Sequence, residues 1–178
     1  VPPKVIPCAD TVDLGKAFMA EAQQQNQVAA TTDATEDAID NSASKLLNAM
    51  WRSDDSVHFI SIHDPKRESF RNQSVSNVAT AIEQAEENSS KGFDVYFACA
   101  EFKTTENRKE SNVAGACAFW VDVDCGDDKA AAGKGYRTIE DAEQALNAFC
   151  ATAHIPLPTH TVSSGGGLHL YWALTERL

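Results

Sequence analysis

Two aspartates at the end of one apolar segment are the residues in this chain best suited to chemistry. Asp122 and Asp124 close the segment Phe119–Asp124, which reads FWVDVD. Alternate side chains of a strand share a face, so the two carboxylates lie on one face, about 7 Å apart. Hard carboxylate oxygens at this spacing suit a pair of divalent cations. The segment predicts a metal site, and the alternative interpretation is a strand whose end simply emerges into solvent.

A glycine-rich turn followed by a histidine is the second chemical pattern. The segment Ser163–Trp172 reads SSGGGLHLYW. Glycines permit positive φ and close backbone approach, and their N–H groups are typical of phosphate cradles. The candidate phosphate cradle is made of the N–H groups of Gly165, Gly166 and Gly167 and the hydroxyls of Ser163 and Ser164. The alternative is an ordinary hairpin turn with a histidine satisfied by a backbone partner.

The elements that must position these motifs alternate between strands and helices. Strands are predicted over 57–62, 94–102 and 116–124, and helices over 74–88 and 138–153. Two further strands, 159–163 and 168–174, flank the glycine turn as a hairpin. The predicted fold class is therefore α/β or α+β with a mixed sheet, ending in a β-α-β-β unit.

The N-terminal quarter differs from the rest. Residues 1–44 are polar and poor in aromatics, which predicts a flexible arm with a short helix over 10–22. The packed domain is predicted over 45–178. The aromatics Trp120 and Tyr171 are expected to pack in its core rather than stack on a base.

Composition excludes several classes of protein. The 178 residues are 43% hydrophobic and 23% charged, which excludes a wholly disordered or fibrous chain. No apolar run reaches the length of a membrane span, so no membrane partner is expected. A net charge of −11 means that nucleic-acid contacts must use local basic patches. Five cysteines without a C-x-x-C pair favour a reducing, cytoplasmic location and argue against zinc.

Taken in order, the motifs resemble the archaeo-eukaryotic primase superfamily, in its phage and plasmid primase-polymerase branch. Members carry an apolar strand ending in D-x-D, a helix, and then a P-T-x-x-V-x-S-G-G-G-x-H-x-Y/F strand pair. The matching segments here are Phe119–Asp124, 138–153 and Pro158–Trp172. Upstream, Asp94–Phe97 looks like the family's strand before a basic loop. The resemblance covers residues 45–178.

The resemblance implies an RRM-like catalytic half and a template-directed nucleotidyltransferase, a DNA or RNA primase-polymerase acting in replication. It implies that Asp122 and Asp124 bind Mg²⁺ or Mn²⁺. It also implies that His169, with Gly167 as the small residue two positions before it, contacts the phosphates of the incoming nucleotide. Two metal ions then activate a 3′-hydroxyl and neutralise the leaving pyrophosphate. The implied partners are nucleoside triphosphates, a single-stranded template, and a fused or associated helicase.

One family feature is missing from the chain. The family has a third motif, a further metal-binding carboxylate on a later strand, and the sequence stops at Leu178 directly after the second motif. Glu101 and Glu176 are poor substitutes. We therefore expect the domain to be truncated at its C-terminal end and to polymerise inefficiently alone.

Basic residues on both sides of the D-x-D segment are candidates for nucleic-acid contact. They are Lys103, Arg108 and Lys109 before it, and Lys129, Lys134 and Arg137 after it. Such loops contact phosphates in nucleic-acid-binding proteins, and the alternative is two ordinary solvated loops.

Two other functions remain open from the sequence. One is a non-catalytic RRM-like module of a replication initiator, which holds nucleic acid without turning over nucleotides. The other is a D-x-D nucleotide-sugar transferase. Metal-dependent binding of nucleoside triphosphates, rather than of nucleotide sugars, distinguishes the three.

Overall fold

The computed structural model describes residues 4–5, 11–13, 37–52 and 55–178. The helices are α1 (Asp37–Met50), α2 (Val78–Ser90), α3 (Asp127–Ala131) and α4 (Ile139–Ala153), with a 3₁₀ turn at Glu110–Asn112. The strands are β1 (Lys4–Val5), β2 (Thr11–Asp13), β3 (His58–Asp64), β4 (Ser69–Val75), β5 (Asp94–Ala98), β6 (Ala100–Phe102), β7 (Val113–Ala116), β8 (Ala118–Asp124), β9 (His160–Ser163) and β10 (Gly167–Ala173).

The described strands form two four-stranded sheets and one hairpin. Sheet A has the order β1-β8-β10-β9, and sheet B has the order β2-β5-β3-β4. The hairpin β6-β7 connects them along the chain, because β6 follows a strand of sheet B and β7 precedes a strand of sheet A. The prediction of an α+β fold is confirmed.

Strand direction differs from the predicted mixed sheet. Neighbouring strands of the described sheets are antiparallel. In sheet A the antiparallel pairing follows from the position of β10. The crossover β8-α4-β9 joins two strands that run the same way, and β10 lies between them, so each is paired with an antiparallel neighbour. This is a split β-α-β arrangement.

Side-chain caps set where the longer helices begin. The Thr138 side chain accepts from Asp141 N at 3.1 Å, so α4 starts where its sequence predicts. Asn77 accepts from Thr80 N at 2.8 Å and caps α2. Helix α2 therefore starts later than residue 74, the predicted start, because Ser74 and Val75 belong to β4.

The main core lies between sheet B, α1 and α2. Leu47 and Met50 of α1 pack with Ile60 and Phe97 of sheet B. Tyr171 of sheet A belongs to the same core, and its ring lies 6.1 Å from that of Phe97. The two sheets therefore share buried apolar contacts, and the expected packing of Tyr171 is confirmed.

The N-terminal residues that are described differ from the predicted arm. Thr11–Asp13 lies in the span predicted as a helix, yet it forms β2 and pairs with β5. Lys4–Val5 forms β1 and pairs with β8. Helix α1 begins at Asp37, before the predicted boundary at 45, and Ala43 packs against the core. Pairing with a sheet edge overrides a weak local helix signal. The remainder of the predicted helix and arm lies outside the described residues.

Candidate nucleotide and metal site

One face of sheet A carries the predicted site. Antiparallel pairing of β8 with β10 places Asp122 opposite His169 and Asp124 opposite Gly167. The next pair on that face is Trp120 with Tyr171. Residues opposite each other across an antiparallel pair lie on the same face. The end of β8 and the start of β10 therefore meet, and this juxtaposition brings the D-x-D and the glycine-histidine motif together.

Exposure increases along this face toward the glycine turn. Tyr171 is fully buried against sheet B, whereas the His169 side chain is 15% exposed. The Asp122 and Asp124 side chains are 43% and 42% exposed. The face is thus closed at Tyr171 and open at the two carboxylates, which gives a ligand access to the charged end.

Asp122 and His169 make a side-chain contact between the two motifs. His169 Nε2 lies 3.5 Å from Asp122 Oδ1. Packing of Leu168 and Leu170 under α4 holds β10 in this register, because both residues are buried on the opposite face. A carboxylate and an imidazole therefore lie side by side on the solvent-accessible part of this face.

Asp124 is paired with a cation of the chain itself. Lys129 Nζ lies 3.1 Å from Asp124 Oδ1. Lys129 belongs to α3, in the segment predicted as a loop, and Tyr136 N donates to Asp124 O at 2.9 Å where the chain returns. A Cβ on Gly135 would lie 2.3 Å from Asp124 O, so only glycine allows this return.

The glycine turn has two roles: Gly167 lets β10 lie close to β8, and Gly165 and Gly166 leave the turn exposed to solvent. Gly167 is buried, and a Cβ there would lie 2.0 Å from Val123 O. Gly165 has φ +77°, and Gly165 and Gly166 are exposed. Ser164 N donates to Gly167 O at 3.0 Å and is thereby used within the turn. Of the predicted cradle, Gly165 and Gly166 are exposed, and Gly166 O accepts from Cys125 N at 2.8 Å.

The basic residues divide between the two sheets. Lys134 and Arg137 follow α3 beside Asp124, both exposed, with Arg137 Nε 3.2 Å from Asp127 Oδ1. Arg108 lies on sheet B instead, where its Nη1 donates to Ser61 Oγ and, at 3.2 Å, to Asn72 Oδ1. Lys103 and Lys109 are exposed in the same loop.

Buried Asn112 shapes the loop that carries Arg108. Its amide donates to Thr104 O at 2.9 Å and to Asn107 O at 2.6 Å, and its oxygen accepts from Thr104 N at 3.1 Å. A buried amide with its hydrogen bonds satisfied fixes one loop conformation. Nothing in the spacing of this loop indicated that role.

Burial and nearby negative charge raise the pKa of two groups near the carboxylates, Tyr171 and Cys125. Burial first, and then the neighbouring Cys99 and Asp122, raise the pKa of Tyr171 well above its usual range. Burial followed by Asp124, Asp141 and Asp122 raises the pKa of the Cys125 thiol. Both groups therefore stay protonated at neutral pH, and the buried Tyr171 side chain next to the site is uncharged.

Asp122 and Asp124 are two candidate ligands for a divalent cation. Their carboxylate oxygens lie on one face of sheet A and are of the type that Mg²⁺ and Mn²⁺ prefer. Within the described ranges, no group of three or more His, Cys, Asp or Glu side chains is arranged to hold a metal. Glu101 is not a third ligand for this face, because it is fully buried and accepts from Arg52 N at 2.8 Å.

Strand β4 and its aromatic residue Phe70 are absent from the sequence predictions. The segment SFRNQSV is mostly polar, so neither apolar alternation nor a helical period marks it. His63 stacks on Phe70 at 4.4 Å between ring centroids. A turn at residues 65–68 joins β3 to β4, and this short segment is the one local feature that favours a hairpin here.

Comparison of the chain with models of known families, with curated proteins and with solved structures finds no match. The primase resemblance therefore stays a prediction. Among the helices that the structure describes, none has the length and apolar character needed to cross a bilayer.

Proposed function

We propose that this chain is the catalytic domain of a metal-dependent nucleotidyltransferase that extends or initiates a nucleic-acid strand on a template. The observation that carries the proposal is the shared face on which Asp122 and Asp124 lie opposite His169 and Gly167. Acidic ligands, an imidazole and an open glycine turn meet there, which is the chemistry a metal-bound triphosphate requires.

The chain's residues have distinct tasks in this proposal. Asp122 and Asp124 would hold Mg²⁺ or Mn²⁺, which would supply Lewis-acid activation of a 3′-hydroxyl and charge neutralisation at the leaving pyrophosphate. His169 Nε2, which lies 3.5 Å from Asp122 Oδ1, would donate to a phosphate oxygen in place of that contact once Asp122 turned to the cation. Lys129, now 3.1 Å from Asp124, would then be available to the triphosphate. The reducing cytoplasm, where nucleoside triphosphates are found, is the proposed location.

The test is calorimetric titration of the chain with a deoxynucleoside triphosphate and Mn²⁺. We expect Asp122→Asn and Asp124→Asn to weaken metal-dependent binding at least about tenfold with unfolding unchanged, because both side chains are half-exposed. Asp128→Asn is the matched control, since Asp128 is exposed on α3. Unchanged nucleotide binding in both site variants contradicts the proposal, and so does a preference for UDP- or GDP-sugars.

The Lys129–Asp124 ion pair favours a second candidate function. An ammonium group at 3.1 Å already balances one of the two carboxylates. In a non-catalytic RRM-like module that pair persists, and sheet A binds nucleic acid without metal-bound nucleotide. The same titration separates the candidates, because such a module shows no Mn²⁺-dependent affinity for triphosphates.

A further inference from the structure

The face of sheet B opposite α1 and α2 carries a cluster of aromatic rings. Alternation along β3 buries Ile60 and Ile62 toward the helices and turns Ser61 and His63 to the other side. Phe70, opposite His63 on the edge strand β4, is 64% exposed. Single exposed aromatics are common on protein surfaces, but this ring is part of a stack.

The cluster has three members, of which two are stacked and the third is tilted. The Phe70 and His63 ring centroids are 4.4 Å apart with an interplanar angle of 23°. The Tyr96 ring lies 6.0 Å from Phe70 at 46°. His63 is held in place, since its Nδ1 lies 3.0 Å from Asp94 Oδ2. The outer side of Phe70 is thus a supported flat surface open to solvent, and we call these three residues the aromatic platform.

Cationic side chains border the platform. The pair Ser61–Asn72 follows the pair His63–Phe70 on the same face, about 7 Å along the strands. Arg108 is anchored on that pair by its bonds to Ser61 Oγ and Asn72 Oδ1. Lys66 and Arg67 lie in the β3–β4 turn at the other end, where Arg67 Nε lies 3.7 Å from Asp64 Oδ2. Glu68 and Asp94 are paired with His63 instead. A flat apolar ring between cations complements a nucleotide, which joins a base to a phosphate.

We propose that the aromatic platform and Arg108 bind single-stranded nucleic acid, with one base stacked on Phe70 and an adjacent phosphate on Arg108. Stacking accepts any base, so the site holds a strand without reading its sequence. The inference rests on the proposed function, because it assigns the template strand to sheet B and leaves sheet A for the triphosphate.

The experiment measures fluorescence anisotropy of a fluorescein-labelled oligothymidylate of about 12 nucleotides, titrated with the 178-residue chain in EDTA. We expect Phe70→Ala to weaken binding about tenfold without changing its salt dependence. Arg108→Met should weaken binding and lower the slope of log K against log salt by about one. Phe70→Trp should retain affinity, and its fluorescence should be quenched by the oligonucleotide.

Phe119→Ala is the matched control, because Phe119 is 57% exposed but lies on sheet A. Circular dichroism verifies that each variant folds. The inference is wrong if the wild-type chain does not bind the oligonucleotide, if Phe70→Ala binds as tightly as wild type, or if Phe119→Ala loses as much affinity. A matched blunt duplex should bind more weakly than the single strand, and equal binding also overturns the inference. EDTA removes the divalent metal, so this outcome is independent of the Mn²⁺ titration that tests the nucleotide site.

Discussion

Sheet A and sheet B are both four-stranded and antiparallel, yet they use their faces differently. Sheet B buries one face under α1 and α2 in the main core. Among the described residues, α4 and Tyr136 pack on one face of sheet A, and Phe119 on that face is 57% exposed. The other face of sheet A carries Asp122 and Asp124, at the end of β8.

The difference is one of burial, because sheet B supplies more of the main core and sheet A exposes its two carboxylates. Carboxylates on a fully buried face would be costly, so the pair is found where sheet A opens to solvent. On the outer face of sheet B the buried Ser61 hydroxyl has hydrogen-bond partners, so its burial carries no unsatisfied polar group. The connecting hairpin β6-β7 belongs to neither sheet and is stabilised by an ion pair.

The largest expected effect tests the core of sheet B. Phe97→Ala should lower the free energy of unfolding by about 3–5 kcal/mol, because Phe97 is fully buried between Trp51 and Tyr171. Phe119→Ala on sheet A should change it by less than about 0.5 kcal/mol. Urea unfolding measures both, and equal losses would show that the two sheets do not differ in this way.

Glu101→Gln tests the connecting hairpin. The buried carboxylate accepts from Arg52 N at 2.8 Å and lies 3.3 Å from Arg177 Nη1. A neutral amide turns a donor toward a guanidinium, so we expect a loss of about 2 kcal/mol of unfolding free energy. Glu176→Gln is the control, because Glu176 is exposed. A loss no larger than that of the control would mean that the ion pair contributes nothing.

Gly167→Ala tests the geometry of the site on sheet A. Its Cβ would lie 2.0 Å from Val123 O, so β10 must shift away from β8. We expect a loss of about 1–2 kcal/mol of unfolding free energy together with weaker Mn²⁺-dependent nucleotide binding. Gly166→Ala should be tolerated, because no heavy atom lies within 4 Å of a Cβ there. Equal stability and nucleotide affinity in the two variants would refute the close-approach explanation.

The smallest effect concerns pH. Burial lowers the pKa of His160 on the edge strand β9, so the fold favours the neutral imidazole. The unfolded chain takes up a proton as pH falls through about 6.5. The stability that neutral His160 contributes is therefore complete above that pH and is lost as pH falls toward the lower folded pKa. Between about pH 7.5 and about pH 5.5, the Tm of wild type should fall more than that of His160→Gln. Parallel Tm curves would contradict this.

Local patterns sufficed for the elements with strong periodicity or clear caps. Helix α4 begins after Thr138 as predicted, and β8 and the β9–β10 hairpin lie within a residue or two of their predicted spans. Strand β4 escaped prediction because an edge strand exposed on most of its length needs no apolar alternation. Strand β2 escaped because its pairing partner, β5, is distant in the chain.

The sequence by itself determined which groups the molecule can offer: paired carboxylates two residues apart, an imidazole after three glycines, and their common face on each strand. Because successive side chains of an extended chain point to opposite faces, residues two apart must share a face. Only the tertiary structure decided that β10 pairs with β8 so that His169 meets Asp122, that Lys129 lies against Asp124, and that Arg108 sits on sheet B. Strand order and loop packing depend on contacts between residues far apart in the chain. Such contacts produce no local periodicity in the sequence from which they could be predicted.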